Sequence, residues 1–215
     1  MKSIVVLISG QGSNLAALIA ASRNEAWPAR ISAVVCDRVE APGLRIASEA
    51  GIPAATLLPS AFGSRILYDE ALARIVDEHR ADLILLAGFM RILSDPFVER
   101  FTGRLLNIHP SLLPAFSGLD VHRRVLASGA TVHGTTVHFV STVLDGGAIV
   151  AQAAVPVLPD DDETLLADRV RRAEHKLYPR VVRWFVEDRL QLVNGRAELS
   201  GEAEPRYFGL SPSAP

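Results

Sequence analysis

The 215-residue chain reads as a single α/β domain, parallel in its first half and mixed in its second, with an antiparallel pair around residues 131–158. Three observations predict this. Unbroken apolar runs such as Ile4-Val5-Val6-Leu7-Ile8 have the pattern of parallel strands covered on both faces. Segments with apolar residues at helical spacing lie between those runs, as in a layered α/β sheet. Further on, Thr136, His138 and Val140 keep a period of two up to a Gly-rich turn, and Ile149 to Leu158 follows as a long strand.

In chain order, the first strand runs into Ser9-Gly10-Gln11-Gly12-Ser13-Asn14, and Leu15 to Ala21 is helical in composition. Glycines let backbone amides approach a ligand, and a helix N-terminus carries about half a positive charge. Gly12, Ser13 and Asn14 therefore form either a phosphate site or a tight turn. They are not a full dinucleotide fingerprint, because Leu15 stands where the third glycine of G-x-G-x-x-G belongs. Ile31 to Cys36 is a second strand, with Asp37 as a turn residue, and Gly43 to Ala50 is a short helix stopped by Gly51. Tyr68, Leu72, Ile75, Val76 and His79 recur at helical spacing, which predicts a helix over 64–80 with Ser64 as its N-cap. Arg65 sits badly for the dipole of that helix, so it is either a ligand contact or an exposed surface residue. Asp82 to Ala87 is a buried strand with Gly88-Phe89-Met90-Arg91-Ile92-Leu93 at its carboxyl end. Open α/β sheets bind ligands at such ends, so this loop either grips a flat ring or packs Phe89 and Met90 into the core.

The most informative stretch is Leu105-Leu106-Asn107-Ile108-His109-Pro110-Ser111-Leu112-Leu113-Pro114, an apolar strand cut off by proline. Asn107 and His109 are two apart, so on an extended backbone both side chains point the same way. An amide and an imidazole converging on one point can stabilise an oxygen that gains charge, and the imidazole can move a proton. The alternative is a turn-capping asparagine beside a satisfied strand-end histidine. Asp145, in the turn after His133-Gly134-Thr135-Thr136-Val137-His138, would orient the imidazole and favour its charged form.

Leu119 to Ser128 is a weak helix, and Asp160-Asp161-Asp162-Glu163 reads as cap and dipole residues rather than a metal site, with no His or Cys nearby. Leu166, Val170, Ala173, Leu177, Val181 and Phe185 mark one long helix with a kink expected at Pro179. Arg171 and Glu174, three apart beside that stripe, are spaced for a surface ion pair. Leu190 to Leu199 is a hairpin around Asn194-Gly195, and residues 200–215 are expected to be a loosely ordered tail.

A net charge of -2 leaves no polycation for nucleic acid, and lysine occurs only at Lys2 and Lys176. Cys36 is the single cysteine, so no internal disulfide is possible, and no run of about 18 apolar residues predicts a membrane span. A cytoplasmic protein acting on small molecules, as a monomer or homodimer, without metal, nucleic acid or membrane, is the expectation.

Asn107-Ile108-His109-Pro110-Ser111-Leu112-Leu113-Pro114, with the His133 to His138 segment and Asp145-Gly146-Gly147, resembles the folate-dependent formyltransferase family. Ser9 to Leu15 and Gly88 to Leu93 extend the likeness, which runs from about residue 3 to about residue 190. The resemblance implies a Rossmann-like formyltransferase fold over residues 1–199, with a phosphate-binding half at about 1–100 and a folate-binding and catalytic half at about 101–199. It implies formyl transfer from 10-formyltetrahydrofolate, as co-substrate, to the glycine amine of glycinamide ribonucleotide in purine biosynthesis. By the same resemblance Asn107, His109 and Asp145 are catalytic. Gly12, Ser13, Asn14 and Glu174 hold the nucleotide. Arg65, Met90, Arg91, Ile92, Leu93, Asn107 and the loop Ser141, Thr142, Val143, Leu144 and Asp145 hold the folate. Asp120 and Arg171 depart from the family pattern. The rivals are a formyltetrahydrofolate hydrolase and a methionyl-tRNA formyltransferase, whose relatives carry additional domains, and a non-catalytic nucleotide-binding module.

Overall fold

A computed structural model describes residues 1–201 and 206–209. The chain forms two compact units, residues 1–107 with 140–142 and residues 108–139 with 143 onward, and passes from one to the other inside a strand.

The first unit contains β1 (Lys2–Ile8), β2 (Ala29–Cys36), β3 (Ala54–Thr56), β4 (Leu83–Leu86) and the start of β5 (Leu105–His109). They pair in the order β3-β2-β1-β4-β5, all parallel. β4 is wholly buried, as is β1 from Ser3 onward, which is what their unbroken apolar runs require. The helices are α1 (Ser13–Asn24), α2 (Pro42–Glu49), α3 (Arg65–Glu78) and α4 (Asp95–Arg100). Ser64 caps α3 as expected, its hydroxyl accepting from Leu67 N–H at 3.2 Å. Tyr68, Leu72 and Val76 of α3 and Phe97 of α4 join Val5, Leu7, Ile84 and Leu86 in one core cluster. Leu72 is fully buried, so truncating it to Ala would cost about 2–5 kcal/mol. β3 and α4 carry no periodic signal, being three and six residues long.

The second unit pairs β6 (Val132–Phe139) antiparallel with β7 (Ile149–Pro156), the pair expected from the alternation. α5 (Val121–Ser128) packs on α6 (Glu163–Val186), which also covers β6 and β7 and continues through Pro179 for 24 residues. Asp162 caps α6 through a 2.8 Å bond from Leu165 N–H. Asp161 pairs with Arg169 at 2.8 Å, and that hydrogen bond holds its carboxyl below the usual range. The acid run is thus used within the protein, and among the described residues no three His, Cys, Asp or Glu cluster as metal ligands. β8 (Leu190–Val193) and β9 (Arg196–Leu199) form the expected hairpin, with Asn194 and Gly195 both at positive φ, 49° and 74°.

The tail differs from expectation. Tyr207–Gly209 form β10, parallel to Gln152–Ala154 of β7. Arg206 secures it by donating to the carbonyls of Val150, Ile149 and Ala197 at 2.6, 2.7 and 3.2 Å. The Arg180 guanidinium stacks 4.5 Å from the Phe208 ring. Two arginines, through these four contacts, hold residues 206–209 of the segment expected to be loose; residues 202–205 and 210–215 of that segment lie outside the described residues. No helix among the described residues is long and apolar enough to cross a membrane.

Candidate active site

In the first unit, β1 delivers the glycine loop to α1. Gly12 is the N-cap of α1 at φ 76°, and no side chain caps the helix or puts an acid in its first turn. The positive helix end is therefore not neutralised by its own residues. A Cβ on Gly12 would meet the Gly43 Cα of α2 at 2.6 Å, so both the conformation and the space demand glycine. At the carboxyl end of β4, Phe89 and Leu93 are buried in the core, whereas Met90 and Ile92 point outward. The core-packing alternative thus holds for Phe89 and fails for Met90, whose side chain is exposed. Arg91 lies over the Tyr68 ring at 4.8 Å, and Arg65 is exposed at the start of α3. Asn107 is half-buried on β5, and Ser141 and Thr142 belong to this unit as well.

In the second unit, His109 ends β5 and is 6% exposed. Its Nδ1 lies 3.5 Å from Asp145 Oδ2, and its Nε2 lies 3.1 Å from the Phe116 carbonyl. Both ring nitrogens thus face acceptors, which fixes the direction of the ring. Asp145 sits at φ 53° in the tight turn closed by the Gly146 N–H to Val143 carbonyl bond at 3.0 Å. A Cβ on Gly146 would collide with Val143 at 2.6 Å. The turn drives the carboxylate inward, leaving Val143 and Leu144 exposed. The same Oδ2 accepts from Gly118 N–H at 2.8 Å, which fixes its direction.

Three of these partners are absent from the sequence reading: His138, the Phe116 carbonyl and Gly118 N–H. His138 Nε2 is 3.9 Å from Asp145 Oδ1, and its Nδ1 donates to the Phe139 carbonyl at 2.9 Å. Burial, the largest influence, pushes the His138 imidazole down, against smaller opposing effects of the Phe139 carbonyl and Asp145. Its period-two spacing from Thr136 was the available signal. The loop contacts had none, because they join residues far apart in sequence.

The backbone leaving His109 is also held. Thr135 Oγ1 donates to the His109 carbonyl at 2.9 Å and Thr136 Oγ1 to that of Ser111 at 2.6 Å. Beside this lie His133 and His122, with Nε2 and Nδ1 3.3 Å apart. Burial, reinforced by His122 and His109, pushes His133 down to about 4. His122 and His175 are also lowered, chiefly by burial. Glu174 is only 8% exposed on α6, while Arg171 pairs at 2.7 Å with Asp168, so the alternative of an Arg171–Glu174 surface pair is not what forms.

A buried His–Asp pair at the end of a strand suits acyl-type group transfer. The chain belongs to the formyl transferase family, whose sequence profile matches residues 2–182. The phosphoribosylglycinamide formyltransferase of Escherichia coli is 48% identical over 203 residues, covering 94% of this chain and 96% of its own. That of Haemophilus influenzae is 45% identical over 206 residues, covering 96% of this chain and 97% of its own. The crystal structure of glycinamide ribonucleotide transformylase 1 from Symbiobacterium toebii superposes with a TM-score of 0.90 at 44% identity, covering 94% of this chain and 95% of that one. The α/β, largely parallel architecture expected from the sequence is thus the fold of the relatives.

Proposed function

We propose that this chain transfers the formyl group of 10-formyltetrahydrofolate to the glycine amine of glycinamide ribonucleotide, giving formylglycinamide ribonucleotide and tetrahydrofolate in purine biosynthesis. The observation that carries this reading is the buried His109–Asp145 pair at 3.5 Å, whose histidine ends the strand that also bears Asn107. In this reading the amine attacks the formyl carbon, the carbonyl oxygen becomes an oxyanion, and collapse breaks the bond to the folate nitrogen. One proton leaves the amine and one reaches the folate nitrogen. Asn107 donates an amide hydrogen bond to the oxyanion, and His109 donates one from Nε2, which exchanges the Phe116 carbonyl for the oxyanion as the reaction proceeds. Asp145 orients that ring through its contact with Nδ1.

Gly12, Ser13 and Asn14 are assigned to the phosphate, and the buried carboxylate of Glu174 to the ribose hydroxyls. Arg65, residues 90–93 and residues 141–145 are assigned to the folate, for which the outward Met90, Ile92, Val143 and Leu144 offer apolar contact. The residues form one catalytic domain over 1–199, acting in the cytoplasm on small molecules, with no metal and as a monomer or homodimer; the buried free thiol of Cys36 suits a reducing compartment. The test is to mix protein, 10-formyltetrahydrofolate and glycinamide ribonucleotide and follow deformylation of the folate. Turnover that requires the amine is expected. Turnover without it would favour a hydrolase, and none above a no-protein control would sink the reading.

A further inference from the structure

Residues 90–93 place two large apolar side chains in solvent, Met90 at 63% and Ile92 at 58% exposure. Apolar side chains turned outward do not anchor their own backbone, so beyond the buried Phe89 and Leu93 this loop needs polar supports. Two buried polar side chains supply them. At the entrance Ser9, 2% exposed, donates its backbone N–H to the Gly88 carbonyl at 3.2 Å, and its hydroxyl accepts from Met90 N–H at 2.9 Å. At the exit Asp69 of α3, 3% exposed, accepts from Ser94 N–H at 2.6 Å. Ser9 is also the first residue of the glycine loop, where the next carbonyl, that of Gly10, accepts from Gly43 N–H at 3.1 Å.

We infer that Ser9 and Asp69 are positioning residues that hold residues 90–93 in the conformation that binds the folate, without touching the reacting atoms. This rests on the assignment of that loop to the folate made above. Removing either acceptor leaves a backbone N–H without its partner, so the loop samples other conformers. The apparent affinity then falls by the fraction of protein still in the binding shape. The glycine loop keeps its own brace through Gly43, and His109 is untouched, so nucleotide binding and the chemical step are spared.

Ser9→Ala and Asp69→Ala are expected to raise the KM for 10-formyltetrahydrofolate about tenfold. The nucleotide KM and kcat should stay within about twofold, the signature of lost ground-state binding. Asp69→Asn keeps an oxygen that accepts from Ser94 N–H, and should return the folate KM to within about threefold of the unmutated protein. It also gives a reading should either alanine variant fail to fold. A folate KM unchanged in the alanine variants, an equal rise in both KM values, or an Asp69→Asn protein no better than Asp69→Ala would overturn the inference. No turnover by the unmutated protein would instead overturn the functional reading, and this inference with it.

Discussion

In the proposed reaction the glycine loop of the first unit and the His109 cluster of the second act through different atoms. Around Gly12 the functional groups are backbone amides, and what the sequence supplies is the absence of a side chain, 2.6 Å from the Gly43 backbone. Around His109 the functional groups are side chains, and the backbone supplies direction: an αL turn at Asp145, a Gly118 N–H on its carboxylate and a Phe116 carbonyl on the ring. The first kind of site is broken by adding atoms and the second by exchanging them. The variants below separate the two.

The largest effect is expected from an exchange that changes no volume. Asp145→Asn keeps the turn and an oxygen able to face Gly118 N–H, but removes the charge 3.5 Å from His109 Nδ1. kcat should fall about 10²-fold or more, the range for losing an electrostatic or acid-base contribution, with both KM values nearly unchanged. Steady-state kinetics check this, and near-normal kcat in a folded variant would reduce Asp145 to a turn residue. The converse change is Gly12→Ala. One methyl group must move the Gly43 backbone and adopt φ 76°, so nucleotide affinity should fall about 30-fold while folate affinity persists. Calorimetry with each ligand decides; equal loss of both would make the loop merely structural.

These two sites were not equally legible in the sequence. Asn107, His109 and Asp145 could be singled out because a two-residue spacing on a strand and a Gly-rich turn are local patterns. β1 and the Asn194-Gly195 hairpin were legible for the same reason. What closes the site is not local: Phe116 lies seven residues from His109, and Gly118 lies 27 from Asp145. β3 and α4 were missed because elements of three and six residues are shorter than the window over which periodicity shows. α4 did carry a hint, Pro96 just inside its start. β10 was missed for the same reason: Tyr207 and Phe208 favour a strand, but three residues are too few to show a pattern, and contacts of Arg206 with distant carbonyls help hold it against β7. Ser9 and Asp69 were unremarkable in sequence, since only the fold brings them to Met90 and Ser94.

The histidines beside the site sharpen the comparison through pH. The His133 imidazole, held down at about 4, is neutral when folded, against about 6.5 in an unfolded chain. Between those values the unfolded chain binds the extra proton, so stability falls as pH falls through this window and is fully present above it. By pH 5 the loss from this one group is about 2 kcal/mol. In His133→Gln, the drop in urea-unfolding free energy from pH 7 to pH 5 should be smaller by about that amount, although the variant is less stable at pH 7. An identical drop in both proteins would mean that His133 does not titrate with unfolding. His122, His138 and His175, all shifted the same way, keep their own share of the slope.

The smallest effect tests a side chain assigned to binding rather than chemistry. Glu174 is 8% exposed on α6, and the proposed function gives its carboxylate to the ribose. A ribose offers two hydroxyl donors to a carboxylate, and the ribose lies away from the formyl carbon, so the contact is as strong in the ground state as in the transition state. Uniform binding of this kind appears in KM and not in kcat. Glu174→Ala should therefore raise the nucleotide KM about tenfold, about 1.4 kcal/mol, with kcat lowered less than threefold. Glu174→Gln, which keeps one accepting oxygen, should raise it only about threefold. If kcat falls instead while KM holds, Glu174 acts on the reacting atoms, and if neither moves its burial serves the packing of α6 alone.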